Sequence, residues 1–336
     1  MSSLVPFCFC SIQRLRPSLH KWPALDGLRA LSITLVLAGH MLPLGPKSWG
    51  ANAPIAATGM ALFFVLSGFL ITRALITNQN IGQFLTRRFA RILPLAYLYL
   101  VVLAIAFSYG PKFLLVNFLF AENYVTGELR DYNGHLWSLC VEMHFYLAIA
   151  LVVFMLGRRG IWAVWPACLA VTTLRIVEGE WITILTHLRV DEILAGACVA
   201  TLYCDDWKKL NVSPFVFFAL LVALVISSYH NPFAYLRPYV AGLVLATSLS
   251  LASGLTLAVL SSAIARYIAT ISYALYVWHP LTQAGWLGEG GGFERYLIKR
   301  PISFALTFLI AHVSTFYYEK RWTDWASSIR FKQKTA

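Results

Sequence analysis

Long apolar segments follow one another along almost the whole chain, separated by short polar connections. Each has roughly 17 to 25 residues, which is long enough to cross a bilayer as a helix. The pattern predicts an all-α integral membrane protein, a bundle of about ten transmembrane helices, with no room for a sizeable soluble domain. The predicted helices cover approximately residues 25–44, 53–76, a third helix that ends near 109, 136–156, 161–176, 188–203, 212–229, 235–251, 271–287 and 301–318.

The first predicted helix carries three polar side chains in an otherwise apolar sequence. Asp26 and Arg29 lie near its start and His40 near its end. At 100° per residue, Arg29 and His40 are separated by three turns plus about 20°, so they share one face and lie roughly 16 Å apart along the axis. One interpretation is that this face lines a polar interior with a function. The other is that the arginine lies at the lipid headgroups and the histidine packs against neighbouring helices. Spacing alone leaves both interpretations open.

A group of arginines precedes the apolar part of the third helix, in the segment 84–94. Arg88 and Arg91 are three residues apart and therefore neighbours on one helical face. They either anchor the inner edge of the membrane, which is the commoner use of arginine there, or bind phosphate groups through their planar guanidinium forks.

Three further segments place polar residues in apolar surroundings. The second predicted helix contains Ser67 beside Gly68, and packing of small residues explains this pair. In the fourth, Glu142 is a functional candidate because a carboxylate is costly in a membrane. His135 lies seven residues earlier and shares its face if the helix begins early. In the ninth, Ser272, Tyr276 and His279 form one polar stripe.

Composition and charge exclude several protein classes. The chain is 59% hydrophobic, has 12% charged residues and a mean hydropathy of +0.67, which excludes an ordinary soluble domain. The net charge of +12 comes mostly from Lys and Arg in the connections predicted to face the cytoplasm. This asymmetry follows the positive-inside rule and predicts both termini in the cytoplasm, so it indicates topology rather than nucleic-acid binding.

The remaining features define the ends of the chain and the use of cysteine. Residues 1–21 are interpreted as a cytoplasmic N-terminal tail, 22–322 as the transmembrane domain and 323–336 as a basic cytoplasmic C-terminal tail. The six cysteines give no disulfide framework, and no Cys/His pattern with the spacing of a metal site is present.

Several motifs, in shared order and spacing, give the chain a resemblance to the acyltransferase 3 family of bacterial integral-membrane O-acyltransferases. The resemblance covers residues 22–322. Its motifs are the Arg29–His40 pair in LDGLRA, LFFVLSGFLIT, Arg88-x-x-Arg91 followed by ILP, HLWSLCVEMHFYL and, less specifically, RVDEILAG, SYALYVWHP and YYEKR.

The resemblance implies a bundle of about ten helices in the bacterial inner membrane. It also implies transfer of an acyl group, usually acetyl, from acyl-CoA on the cytoplasmic side to a hydroxyl. Acyl-CoA is then a donor substrate, with no bound cofactor or metal, and the acceptor is a cell-envelope glycan, a lipid-linked glycan or a macrolide. By position, His40 becomes the catalytic histidine with Arg29 and Glu142. The remaining candidates bind substrate: Asp26, Ser67, Arg88, Arg91, His135, Tyr276 and His279.

The chain departs from the family pattern after Glu142, where Met143 and His144 replace a second Glu and a Gln. A role for a second carboxylate therefore does not transfer. Two other functions compete with acyl transfer: a transporter or flippase for a glycan or lipid intermediate, and a noncatalytic partner in polysaccharide assembly. Whether His40 acts as a base or is transiently acylated stays open.

Overall fold

The structure, a computed structural model, describes residues 22–78, 80–203, 210–229, 232–251 and 253–329. These residues are predominantly helical and include no strand. The predicted tail 1–21 and the last residues of the predicted tail 323–336 lie outside them. The α-helices are α1 (Pro23–Met41), α2 (Asn52–Thr77), α3 (Ile81–Ala106), α4 (Pro111–Phe118), α5 (Trp137–Leu156), α6 (Val164–Glu178), α7 (Thr186–Arg189), α8 (Asp191–Leu202), α9 (Pro214–Ser227), α10 (Arg237–Leu249), α11 (Leu255–Leu260), α12 (Ala263–Trp278), α13 (Arg300–Val313) and α14 (Lys320–Ser328).

The all-helical class and the membrane character are confirmed, whereas the number of spans is not. Within the described ranges, four helical stretches are both long and apolar enough to cross a bilayer: Asn52–Thr77, Ile81–Ala106, Gly134–Glu178 and Glu294–Ser328. The count of about ten therefore stays a prediction.

The centre of the bundle is built from α1, α2, α8 and α12. Helix α1 packs against α2 and α12, and α2 packs against α8. Gly68 of α2 meets the carbonyl of Ile193, and Gly196 of α8 meets the carbonyl of Val65, so neither glycine has room for a Cβ atom. This close approach confirms that small residues let the backbones of membrane helices touch.

Several helix boundaries differ from the predicted ones for local reasons. Helix α3 begins at Ile81, with the Asn80 side chain accepting a hydrogen bond from the Gln83 amide, so the arginines lie inside the helix. Helix α12 ends at Trp278, because Pro280 has no N–H to donate to the carbonyl of Tyr276 and so cannot continue the helical hydrogen bonds. The last predicted helix is longer than expected, because one π-helical segment precedes α13 and a second joins α13 to α14, which gives a continuous stretch Glu294–Ser328.

Buried ion pairs fix α8 to its neighbours. Asp191 pairs with Arg175 of α6 at 2.5 Å, whereas Glu192 pairs with Arg237 of α10 at 2.6 Å and Arg189 at 3.0 Å. Although Arg189 and Asp191 are two residues apart in the sequence, they have different partners, because Asp191 faces α6.

Candidate active site

One face of α1 runs along two cavities and a narrow passage between them. We name them the arginine cavity (lined by Arg29, Ser67, Arg88, Arg91, Glu142, Tyr146 and neighbours), the passage (lined by Arg29, Met60, Phe63, Ser272, Tyr273, Tyr276 and neighbours) and the histidine cavity (lined by His40, Asp131, His135, Trp137, Arg189, Tyr276, His279, Gln283 and neighbours). Arg29 borders the arginine cavity and His40 the histidine cavity. The shared face predicted for these residues therefore borders both cavities, with a mainly apolar space between them.

The arginine cavity is small and positively charged. Its volume is about 50 Å³, enough for a few water molecules. Arg29, Arg88 and Arg91 contribute three positive charges against the one carboxylate of Glu142, and in the described part of the chain none of the three makes an ion pair within 4 Å. Asp26, one turn before Arg29, is half-buried and lines neither cavity. An excess of unpaired guanidinium groups suits an anionic ligand.

Glu142 is held rigidly in the arginine cavity. It is 4% exposed, and its Oε1 accepts hydrogen bonds from the Tyr146 hydroxyl at 2.6 Å and from the Ser67 hydroxyl. Glu142 and His135, which share a face if the helix begins early, line different cavities in the structure. The two residues are close in sequence, but a 3₁₀ turn (Gly134–Leu136) precedes α5, and His135 reaches the other cavity.

The histidine cavity is larger and open. Its volume is about 580 Å³, within the range of small-molecule sites. Its lining combines the aromatic surface of Trp137 with the polar groups of Asp131, Gln283 and the buried Arg189. The sequence analysis did not predict Trp137 or Arg189 as site residues. Both stand in motifs quoted above, but only the tertiary structure brings them together.

A chain of hydrogen bonds fixes the tautomers of two histidines in this cavity. The His279 Nδ1 lies 2.7 Å from the carbonyl oxygen of Tyr276; since a carbonyl only accepts, this nitrogen carries the proton. The His279 Nε2 of the neutral ring is then an acceptor, and His40 Nδ1, 2.9 Å away, donates to it. The Nε2 of His40 is left with its lone pair, as a proton acceptor requires.

His135 and Tyr276 join the start of α5 to the end of α12. The Nε2 of His135 donates to the carbonyl of Val277 at 3.2 Å, while the Tyr276 hydroxyl donates to the His135 carbonyl and accepts from Ser138 at 2.6 Å. Tyr276 also faces both the passage and the histidine cavity. The structure thus places both candidates at the histidine cavity, with their polar groups in hydrogen bonds within the protein.

The passage between the cavities is narrow. Its volume is about 20 Å³, room for about one water molecule. The rings of Phe63 and Tyr276 stack across it with centroids 6.3 Å apart. A ligand that connects the two cavities must displace these rings.

Known protein families and proteins show similarity to this chain. The acyltransferase 3 family, described as an acyltransferase domain, matches residues 22–318. The peptidoglycan O-acetyltransferase OatA of Listeria monocytogenes is 28% identical over 76% of this chain and 48% of its own length. The O-acetyltransferase OatA of Staphylococcus aureus is 29% identical over 41% of this chain and 25% of its own length, and nodulation protein 10 of Rhizobium leguminosarum bv. viciae is 26% identical over 47% of this chain and 49% of its own length.

The chain spans about half the length or less of these curated relatives. No solved structure gives a significant match. The family match, in contrast, extends over nearly the whole helical bundle, including both cavities. The chain therefore belongs to the acyltransferase 3 family.

Proposed function

We propose that the protein is a membrane O-acyltransferase that moves an acetyl group from acyl-CoA to a hydroxyl of a cell-wall glycan. The observation that carries the proposal is that one face of α1 borders both an arginine-rich cavity and a cavity containing a histidine prepared as a base. The names of the relatives, peptidoglycan O-acetyltransferase and O-acetyltransferase, support acetyl as the group and a glycan as the acceptor.

The arginine cavity contacts the phosphate groups of the donor, and the rest of CoA, which is far larger than about 50 Å³, lies outside it. CoA carries several phosphate groups, and Arg88 and Arg91 offer the bidentate contacts that phosphate oxygens favour. Both guanidinium groups are half-buried, and that of Arg88 lies over the rings of Phe84 and Tyr146 at 5.8 and 5.9 Å. The pantetheine arm of acyl-CoA extends through the passage and displaces Phe63 and Tyr276, which brings the thioester towards His40.

The acceptor occupies the histidine cavity. A sugar presents an apolar ring face and several hydroxyl groups, and the cavity offers Trp137 for the first and Asp131 and Gln283 for the second. Aromatic walls with a few placed polar groups are typical of sites for such ligands. The chemistry of the cavity favours a glycan acceptor over an apolar one.

His40 acts as the general base. Its Nε2 takes the proton of the acceptor hydroxyl as the oxygen attacks the thioester carbonyl. The carbon–sulfur bond then breaks, an ester forms, and the proton passes from His40 to the CoA thiolate. His279 fixes the reactive tautomer of His40 and stabilises the imidazolium formed during the reaction. A positioned base is needed because a hydroxyl is a weak nucleophile at neutral pH.

The topology follows from the same proposal. CoA is cytoplasmic, so the arginine end faces the cytoplasm and the histidine cavity faces outwards, with the protein in the bacterial inner membrane and both termini inside. The charge asymmetry of the connections supports this orientation. Only the acyl group crosses, and CoA itself stays on the inner side.

The test is transfer by the purified protein in lipid vesicles, with [¹⁴C]acetyl-CoA outside and peptidoglycan fragments on either side. The proposal predicts labelled acetyl esters on the glycan when donor and acceptor are on opposite sides. A matched control is His312→Ala, which removes a histidine that lines neither cavity. Movement of unmodified glycan, with no ester formed, would support the transporter function and contradict the proposal.

A further inference from the structure

The segment that leads into α13 carries a group of cations away from both cavities. We name it the basic cluster and define it by Arg295, Tyr296, Lys299 and Arg300. It lies towards the histidine end of the bundle. The Thr307 hydroxyl of α13 contacts the Thr282 hydroxyl, three residues after His279, at 2.6 Å, and Arg300 precedes Thr307 by two turns, about 10 Å.

Both arginines of the cluster lie close to one aromatic ring. The Cζ atoms of Arg295 and Arg300 lie 5.8 and 5.9 Å from the centroid of the Tyr296 ring. Lys299 has an acidic partner, Glu294, at 2.7 Å. Within the described ranges, neither arginine forms an ion pair. Two like charges held on one ring repel each other unless an anion lies between them or beside them.

Burial makes this arrangement costly for the protein alone. Arg300 is 4% exposed, and its Nε and Nη1 have no hydrogen-bond partner among the described residues; the same holds for the Nε of Arg295. A buried N–H group of a cation without an acceptor is strongly unfavourable. The unsatisfied donors therefore indicate a missing acceptor rather than a solvated surface group.

We propose that Arg295 and Arg300 form a binding site for the phosphate of a membrane lipid headgroup. A phosphate presents oxygens in several directions, so that two guanidinium forks can bind it from different sides. The flanking side chains Phe293, Leu297 and Ile298 are exposed apolar groups, which suits the acyl chains of the same molecule. An amphiphilic ligand satisfies both features, whereas free phosphate satisfies only the first.

The test measures ligand binding to the purified full chain in detergent by native mass spectrometry. The probes are phosphatidylglycerol, diacylglycerol and inorganic phosphate. We expect phosphatidylglycerol to bind at least tenfold more tightly than diacylglycerol. The double variant Arg295→Gln with Arg300→Gln should bind phosphatidylglycerol at least tenfold more weakly than the wild type. Arg158→Gln with Arg159→Gln removes two exposed arginines elsewhere and should leave binding unchanged.

Three results would overturn the proposal. Equal loss in both double variants would show a general charge effect, equal binding of diacylglycerol would show recognition of acyl chains only, and full competition by inorganic phosphate would assign the site to the free anion. If the glutamine variants unfold, Arg295→Lys with Arg300→Lys keeps both charges but loses the forks. It should still weaken the lipid complex, and unchanged binding would contradict a bidentate site.

Discussion

His40 donates a hydrogen bond from its Nδ1 to the Nε2 of His279, 2.9 Å away, and the two rings stack with an angle of 8° between their planes. This contact joins the end of α1 to the end of α12. It explains how an internal backbone carbonyl, that of Tyr276, determines which nitrogen of His40 is available for chemistry.

His279→Ala should lower the rate of acyl transfer more than it lowers substrate affinity. Without its partner the His40 ring samples both tautomers and more orientations, so we expect kcat to fall about ten- to hundredfold, below the loss typical of removing the base itself, with little change in KM. His279→Gln provides an amide oxygen that accepts from His40 and should restore part of kcat. Steady-state kinetics with both substrates measure the split, and equal losses in the two variants with a raised KM would indicate a merely structural or binding function.

Arg88→Ala and Arg91→Ala should weaken the binding of acyl-CoA. Each loss of a charge-assisted contact costs about 1.5–3 kcal/mol, which corresponds to a rise of roughly ten- to hundredfold in the apparent KM for the donor. Arg87 lies on the same helix but is exposed and lines neither cavity, so Arg87→Ala is the matched control. Unchanged donor kinetics in folded Arg88 and Arg91 variants would contradict donor binding and show that both residues only anchor the protein at the membrane edge.

Glu142→Gln should reduce transfer without unfolding the protein. The amide oxygen still accepts from Ser67 and Tyr146, but the negative charge among the three arginines is lost, and we expect the rate to fall about tenfold or more, a change of at least about 1.4 kcal/mol. Thermal unfolding in detergent checks the fold, and donor kinetics locate the effect. Near-normal transfer would show that the charge of Glu142 has no function in the reaction.

Gly68→Ala and Gly196→Ala should each destabilise the crossing of α2 and α8. The added Cβ would overlap the carbonyl of the opposite helix, and overpacking of this kind costs about 1–3 kcal/mol. Gly242→Ala is the control, because its nearest neighbour would be 3.7 Å away, an ordinary contact. A melting temperature unchanged in the first two variants would contradict the described helix crossing.

The sequence predicted those parts of the site that depend on local periodicity. The 3.6-residue repeat of a helix placed Arg29 and His40 on one face, and Arg88 and Arg91 on another. Both pairs line cavities in the structure, and their functions stay predictions. The family resemblance, carried by the same motifs, is confirmed over residues 22–318.

Contacts between helices that are distant in the chain could not be predicted from the sequence. His40 and His279 are 239 positions apart, and Ser67 and Glu142 are 75 apart, and no periodicity relates them. The predicted shared face of His135 and Glu142 failed for another reason. His135 lies in a 3₁₀ turn before α5, so helical periodicity does not relate the two residues, and they line different cavities. The partners of Asp191 and Glu192 likewise depend on which helices pack against α8.

The central claim is that His40 is the base for acyl transfer, and His40→Ala tests it most directly. The variant, purified in detergent, is assayed for [¹⁴C]acetyl transfer to peptidoglycan fragments and for thermal unfolding, beside His40→Gln and the control His312→Ala. We predict a folded protein whose transfer rate falls about 10²- to 10⁴-fold, with acyl-CoA binding retained and no acetyl group trapped on the wild-type protein when acceptor is withheld. A folded His40→Ala protein with normal transfer, or an acetyl-histidine recovered from the wild type, would contradict the account.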